Sequence, residues 1–256
     1  MRMNSNRINL RINSLNKPKE TLITPIELIS NSFAKKIEMR NIFILLLVLL
    51  PLHGLTQKSD FGNWLNYFGS KTIKDNFNWH HEAQYRNYNE IGDLEQLLLR
   101  TGLGYNLTEN NNNILLGYGF IRSENYIGTT DEKAIINEHR IYQQFITKQS
   151  FGRVSFQHRY RFEQRFVEDK FRMRFRYFLS TNIALTNPTI VDNTFYLSAY
   201  NEIFLNTTKT IFDRNRLYGG LGYKLNNNLR FEVAYMNQFL DKRQRDQLNI
   251  NIFLNL

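Results

Sequence analysis

The residues best suited to chemistry are arginines and glutamates that recur at every second position of the chain. Successive side chains of a β-strand point to opposite faces, so on strands these residues would share one face. We call this set the polar ladder, and it consists of Glu82, Arg86, Arg100, Glu138, Arg140, Arg159, Arg161, Glu163, Arg165, Arg172, Arg174, Arg176, Glu202, Arg216, Arg230 and Glu232. A surplus of arginine on one face would attract anions, whereas arginines and glutamates that pair with each other would link the strands. The ladder therefore has both a functional and a structural interpretation.

At one predicted loop, a serine, a histidine and a glutamate are of the residue types used in nucleophilic catalysis. His139 follows Glu138, and Ser123 lies across the same predicted loop, so a Ser/His/Glu trio for nucleophilic catalysis is conceivable. A chain of this composition provides such trios by chance, and no hydrolase motif accompanies this one. We expect no catalytic residues and no enzymatic activity.

Metal and cofactor sites find no support in the sequence. His80 and His81 are adjacent, and adjacent residues of a strand face opposite sides, so they do not form a metal pair. Cysteine is absent, and no histidine or carboxylate cluster has the spacing of a metal site. The glycine pairs at 102/104 and 220/222 lack the helical pattern that follows a nucleotide-binding loop. We therefore expect no cofactor.

The elements that must carry these residues are long β-strands. From about Phe77 onward apolar and polar residues alternate with a period of two. The alternating segments exceed the roughly 5–6 residues common in soluble proteins and suffice for the roughly 9–11 residues that a tilted membrane strand needs. The mean hydropathy of −0.47 argues against a bundle of membrane helices. It fits a membrane barrel, in which only every second strand residue is apolar.

This pattern predicts an all-β fold, a single antiparallel transmembrane β-barrel over residues 77–256. Counting strands gives about ten to twelve, and residues 57–76 form an N-terminal segment or the first strand. Bacterial barrels normally have an even number of strands, so we expect ten or twelve. The apolar face would meet lipid, and the polar ladder would face the lumen.

A secretory leader is predicted ahead of the barrel. The apolar run from Ile42 to Leu50 is too short to span a bilayer, follows basic residues and precedes small residues. We assign 39–56 to a cleavable signal peptide, with Met39 as the true initiator and 1–38 as an upstream extension. Half of the net charge of +10 lies in residues 1–56. The expected location is the outer membrane of a Gram-negative cell.

The last predicted strand indicates partners. Its apolar residues alternate up to Leu256, like the C-terminal signal for insertion of outer-membrane barrels, although that signal commonly ends in an aromatic residue. Expected partners are outer-membrane lipid, the barrel-assembly machinery and small anions. Nucleic acid is excluded, because the arginines share a face with carboxylates and the leader takes the chain out of the cytoplasm.

Two interpretations of the lumen remain open. A surplus of arginine lined by low-dielectric walls would attract anions and give a small-solute, channel-like role. A narrow barrel filled by a network of arginine and glutamate would instead have a structural role. Two alternatives to both are a barrel enzyme acting on lipid or peptide at the outer rim and a soluble periplasmic barrel that binds an anionic ligand.

Several segments resemble the bacterial family called domain of unknown function 2490. The resemblance covers Phe61 to Leu256, and its most specific marks are the runs EHR at 138–140 and HRYRFE at 158–163. It implies a secreted barrel of the outer-membrane type with uncharacterised function. It supplies no catalytic residues.

Overall fold

The computed structural model describes residues 61–89, 92–108, 111–208 and 210–256. The predicted signal peptide at 39–56, the upstream extension at 1–38 and residues 57–60 lie outside the described residues. Within the described part of the chain, no helix is long and apolar enough to cross a membrane.

Long strands account for the regular structure of the described residues. Their alternating sequences, with few prolines, allow uninterrupted pairing along each strand. The strands are β1 (Phe61–Lys74), β2 (Phe77–Asn87), β3 (Leu94–Asn106), β4 (Asn112–Tyr126), β5 (Lys133–Phe151), β6 (Val154–Val167), β7 (Lys170–Ala184), β8 (Thr194–Asn206), β9 (Phe212–Lys224), β10 (Leu229–Leu240) and β11 (Gln244–Asn255).

The strands form one closed barrel, which confirms the predicted all-β class. Each strand pairs antiparallel with the next, and β1 closes the barrel against β11. That closing pair is parallel, with Phe61 opposite Asp246 and Ser70 opposite Asn255. The expectations of a wholly antiparallel barrel and of an even strand number were therefore wrong. Because each strand runs opposite to the one before it, the first and the eleventh strand run in the same direction, so the pair that closes the barrel is parallel.

The odd strand number gives the barrel two distinguishable ends. At the end where β1 begins, which we call the N-end, lie the connections β2–β3, β4–β5, β6–β7, β8–β9 and β10–β11. At the end where β11 finishes, the C-end, lie the connections β1–β2, β3–β4, β5–β6, β7–β8 and β9–β10. The start of the first strand and the finish of the last one are thus at opposite ends.

The outer face of the barrel is apolar around its whole circumference. Because side chains alternate, every strand turns one apolar set outward. Each strand carries at least one large exposed apolar residue, for example Leu65, Phe77, Leu99, Ile114, Ile135, Tyr160, Phe175, Leu197, Leu217, Val233 and Ile250.

Several polar side chains on the outer face are paired across neighbouring strands. Gln143 and Gln164 exchange amide hydrogen bonds of 3.4 and 3.1 Å. Asn201 and Asn215 do the same at 2.8 and 3.1 Å. The Tyr177 hydroxyl lies 2.9 Å from Nδ1 of His158. Each of these groups has a partner that does not depend on water, as an apolar environment requires.

The inner face is packed rather than hollow. Trp64, Tyr218, Ala234 and Met236 form a buried apolar cluster between β1, β9 and β10, and Tyr200 packs against it. Inward-facing tyrosines occupy space beside glycines of the neighbouring strand. A Cβ on Gly117 would overlap the ring of Tyr142, and one on Gly222 would overlap the ring of Tyr196. Side chains therefore fill much of the interior.

Candidate functional site

In the structure, most side chains of the polar ladder point into the interior of the barrel. Twelve of its sixteen members are buried: Glu82, Arg86, Arg100, Glu138, Arg140, Arg161, Glu163, Arg174, Arg176, Glu202, Arg216 and Glu232. Arg159, Arg165 and Arg230 are half-buried, and Arg172 is exposed near the N-end. The ladder is thus an interior feature that extends from the N-end towards the C-end.

Glu163 on β6 is a centre of the ion-pair network and is fully buried. Its Oε2 accepts hydrogen bonds from Arg174, at 3.0 Å from Nε and 2.7 Å from Nη2. Its Oε1 accepts a bond of 2.7 Å from Nη1 of Arg176. One carboxylate therefore holds two guanidinium groups of the next strand.

Glu202 on β8 is a second centre. Its Oε1 accepts hydrogen bonds from Nη2 of Arg176 at 2.6 Å and from Nη2 of Arg159 at 2.8 Å. Nη1 of Arg216 lies 3.6 Å from Oε2. Arg176 thus connects Glu163 with Glu202, and β6, β7, β8 and β9 share one network.

Two more carboxylates complete the charged layer. Glu138 accepts paired hydrogen bonds from Arg140, at 2.6 and 2.9 Å, and from Arg165, at 2.5 and 3.0 Å. Glu82 pairs with Nη1 of Arg100 at 2.5 Å. The arginines of β3, β5 and β6 are held in place by these pairs.

Towards the C-end the partners are neutral. Glu232 accepts hydrogen bonds of 2.8 Å from the hydroxyls of Tyr196 and Tyr218. The Asn251 amide donates to the Tyr218 hydroxyl at 2.7 Å and so links the network to β11. Arg230 lies 4.0 Å above the ring of Phe253. Positive charge is concentrated in the other half of the barrel.

A cavity of about 180 Å³ lies among inward-facing side chains of β2 to β9 in the half near the N-end. We call it the arginine cavity. Neutral polar groups in its wall include Ser123 and Asn125, and Glu138 is its one lining carboxylate among the described residues. Its lining arginines are Arg86, Arg100, Arg140, Arg165, Arg174, Arg176, Arg214 and Arg216.

Positive charge exceeds negative charge around this cavity. In the described part of the chain, seven of the eight lining arginines, all except Arg86, form ion pairs within 4 Å with five carboxylates: Glu82, Glu138, Glu163, Glu202 and Asp213. Three formal positive charges are left over. The arrangement can attract and hold an anion, because charge inside low-dielectric walls acts strongly.

Arg86 differs from the other lining arginines. Its Nε and Nη2 donate to Oε1 of Gln84 and its Nη1 donates to Oε1 of Gln96, so its hydrogen-bond partners are neutral. Its guanidinium lies 3.6 Å from the ring centre of Trp64. Arg216 lies 4.9 Å from the same ring. A buried cation is here held by amides and an indole.

Some of these residues were not predicted from the sequence. Arg214 shares a face with Arg216 at a spacing of two, so the alternation could have identified it. Trp64 lies in the segment that was left open as a possible first strand. Gln84 and Gln96 lie on the inward face of their strands, but nothing in the sequence indicates that they bind Arg86.

The conceivable catalytic trio is not brought together. Ser123 points inward and accepts a hydrogen bond of 2.7 Å from Gln96, and Glu138 is engaged by two arginines. His139 points outward, with its Nδ1 2.6 Å from the Tyr118 hydroxyl.

The adjacent histidines are placed on opposite faces. His80 contacts Glu82 at 3.3 Å inside the barrel, whereas His81 packs outside against Trp79. No group of three or more histidine, aspartate and glutamate side chains in the described residues is arranged to hold a metal ion.

Comparison with known protein families gives a match over most of the described chain. The family described as "Protein of unknown function (DUF2490)" matches residues 61–249, which agrees with the resemblance seen in the sequence. No curated protein and no solved structure matches the chain.

Proposed function

The chain belongs to the DUF2490 family, and from that premise we propose that it is an integral outer-membrane β-barrel with a channel-like role for small anions. The family description leaves function open. The proposal therefore depends on the distribution of apolar and charged side chains in the barrel.

The observation that carries the proposal is the inverted polarity of the barrel. Large apolar side chains are exposed on all eleven strands, while arginines and glutamates are buried inside. A soluble protein rarely exposes contiguous apolar surface on this scale, because water penalises it. A bilayer accepts such a surface and requires every backbone group to be paired, as in a closed barrel.

The soluble periplasmic barrel is the weaker alternative for the same reason. It would need a polar outer face or a further layer over the sheet, and every strand carries exposed apolar residues. The rim enzyme is also weaker, because His139 lies on the other side of the sheet from Ser123 and Glu138.

The interior supports a role with anions rather than with cations or large solutes. Arginine exceeds glutamate around the arginine cavity, and the buried side chains of Trp64, Tyr142 and Met236 occupy part of the interior. A positively charged interior that side chains partly fill would favour small anions, since its charge attracts them and its side chains obstruct larger molecules.

The test is single-channel recording of the protein, purified from membranes in detergent and inserted into planar bilayers with a potassium chloride gradient. We expect a small conductance with a reversal potential that shows preference for chloride. Arg86→Gln should reduce that preference, since it removes a luminal charge without a carboxylate partner. Arg122→Gln on the outer face of β4 is the matched control and should preserve it.

Two results would contradict the proposal. Absence of conductance from protein shown to be folded and inserted would refute the channel-like role. Release of the protein by osmotic shock, without detergent, would refute the membrane location.

A further inference from the structure

We propose that the arginine cavity is a binding site for a small divalent oxyanion of the phosphate class. This inference deepens the proposed function and rests on it for the biological setting of the site. Three properties of the cavity support it: its charge, its free hydrogen-bond donors and its size.

The first step is the charge. Eight arginines line the cavity, and in the described part of the chain seven of them pair with a total of five carboxylates, while Arg86 has no carboxylate partner. Burying a charge without a counter-charge raises the free energy of the folded protein. The penalty is larger for an unpaired guanidinium that is surrounded by other guanidinium groups. A bound anion would supply the missing negative charge, and a divalent anion would balance most of the surplus.

The second step is the supply of free donors. Arg86 uses three of its five N–H groups on Gln84 and Gln96. Arg100 and Arg214 also line the cavity, and each has an Nε without a hydrogen-bond partner, although protein encloses that atom and the side chain must rotate before it can reach an anion. These three arginines come from β2, β3 and β9, so guanidinium groups line different parts of the cavity wall.

The third step is the orientation of Arg86. Stacking on Trp64 and hydrogen bonds to two glutamine side chains hold its guanidinium in place without neutralising it. A preorganised guanidinium loses little freedom when it binds an oxyanion. We therefore infer that Arg86 is the principal binding residue.

The last step is size. About 180 Å³ corresponds to roughly six water molecules at about 30 Å³ each, which accommodates a tetrahedral oxyanion with a few waters. Cavities for larger ligands usually exceed about 300 Å³. Guanidinium forks also match oxyanions with several oxygens better than they match a spherical halide. Phosphate satisfies the charge, the geometry and the size.

The test is titration calorimetry with inorganic phosphate on the full-length protein in detergent, against a chloride background of constant ionic strength. The wild type should bind phosphate saturably at one site. Arg86→Gln should weaken the affinity by about tenfold or more, because a charge-assisted hydrogen bond is lost. Arg122→Gln on the outer face should leave the affinity unchanged.

A second variant keeps the test decisive if Arg86→Gln does not fold. Arg214→Gln removes a half-buried lining arginine whose ion-pair partner is Asp213, and it should also weaken phosphate binding. Failure of the folded wild type to bind phosphate would overturn the proposal. Equal losses in Arg122→Gln and Arg86→Gln, or tighter binding of succinate than of phosphate, would also overturn it.

The phosphate-binding test can fail or succeed independently of the conductance test of the proposed function. Binding is measured in detergent and needs no conduction, so a barrel that is silent in bilayers and still binds phosphate loses only the channel-like role. A barrel that conducts anions but binds no phosphate loses only this site.

Discussion

Among single residues, Glu163 is the one on which the charged interior most depends. It is fully buried and holds Arg174 and Arg176 at 2.7 Å. Glu163→Gln keeps the shape of the side chain but leaves two buried cations with less compensation. We expect a loss of about 3–5 kcal/mol in the free energy of unfolding.

Urea unfolding in lipid vesicles, followed by fluorescence of Trp64 and Trp79, would measure this loss. The control is Glu132→Gln in the exposed β4–β5 connection, which should change stability by less than about 0.5 kcal/mol. Similar unfolding curves for the two variants would show that Glu163 does not organise the network.

The sequence predicts which face of the sheet a side chain occupies, but it does not predict which residue that side chain contacts. Alternation of residue types places Arg174 and Arg216 on the inward face, because the face depends only on local geometry. It does not reveal that Arg174 contacts Asp213, or that Arg245 contacts Glu95, because those pairs are 39 and 150 residues apart. Pairing across the lumen depends on register, closure and tilt, which no local pattern contains.

Within the strands, some inward-facing glycines lie beside a tyrosine of the neighbouring strand. The stability of a variant at such a glycine can therefore be predicted. Gly222→Ala on β9 would force a methyl group against the ring of Tyr196. We expect a destabilisation of about 1–3 kcal/mol, since the packed interior leaves the ring little room to move.

Gly219→Ala on the same strand is the matched control. Its added Cβ meets nothing within 4 Å, so the variant should be neutral or stabilised by up to about 1 kcal/mol. Urea unfolding in vesicles measures both variants. Equal stability of Gly222→Ala and wild type would mean that Tyr196 can leave its position at little cost.

The strands were predictable to different degrees. From Phe77 onward strong alternation predicted strands, and the structure has ten of them there, β2 to β11. β1 was ambiguous, because Gly62, Gly69 and several polar residues interrupt its apolar set. Its pairing with β11 is parallel and connects residues about as far apart as the described chain allows. Sequence patterns contain no signal for which distant strand closes a barrel.

For the whole molecule, the orientation of the barrel in the proposed outer membrane can be tested at two similar glycines. Gly128 in the β4–β5 connection and Gly152 in the β5–β6 turn both have positive φ, at 59° and 55°, and open surroundings. They lie at the N-end and the C-end. With the C-end in the periplasm, an epitope inserted at Gly128 should bind antibody on intact cells.

An epitope at Gly152 should bind antibody only after the outer membrane is permeabilised. Flow cytometry of cells with equal amounts of folded protein would compare the two. Labelling of the Gly152 epitope on intact cells would show that the barrel has the opposite orientation.

The parallel contact between β1 and β11 has a consequence for anything joined to the barrel. The start of β1 and the finish of β11 lie at opposite ends of the barrel. If the barrel spans the outer membrane as proposed, these two points face different compartments, because an odd number of strands crosses a bilayer an odd number of times. With the C-end in the periplasm, a passenger domain fused ahead of Phe61 would be displayed on the cell surface. The same domain fused after β11 would stay in the periplasm.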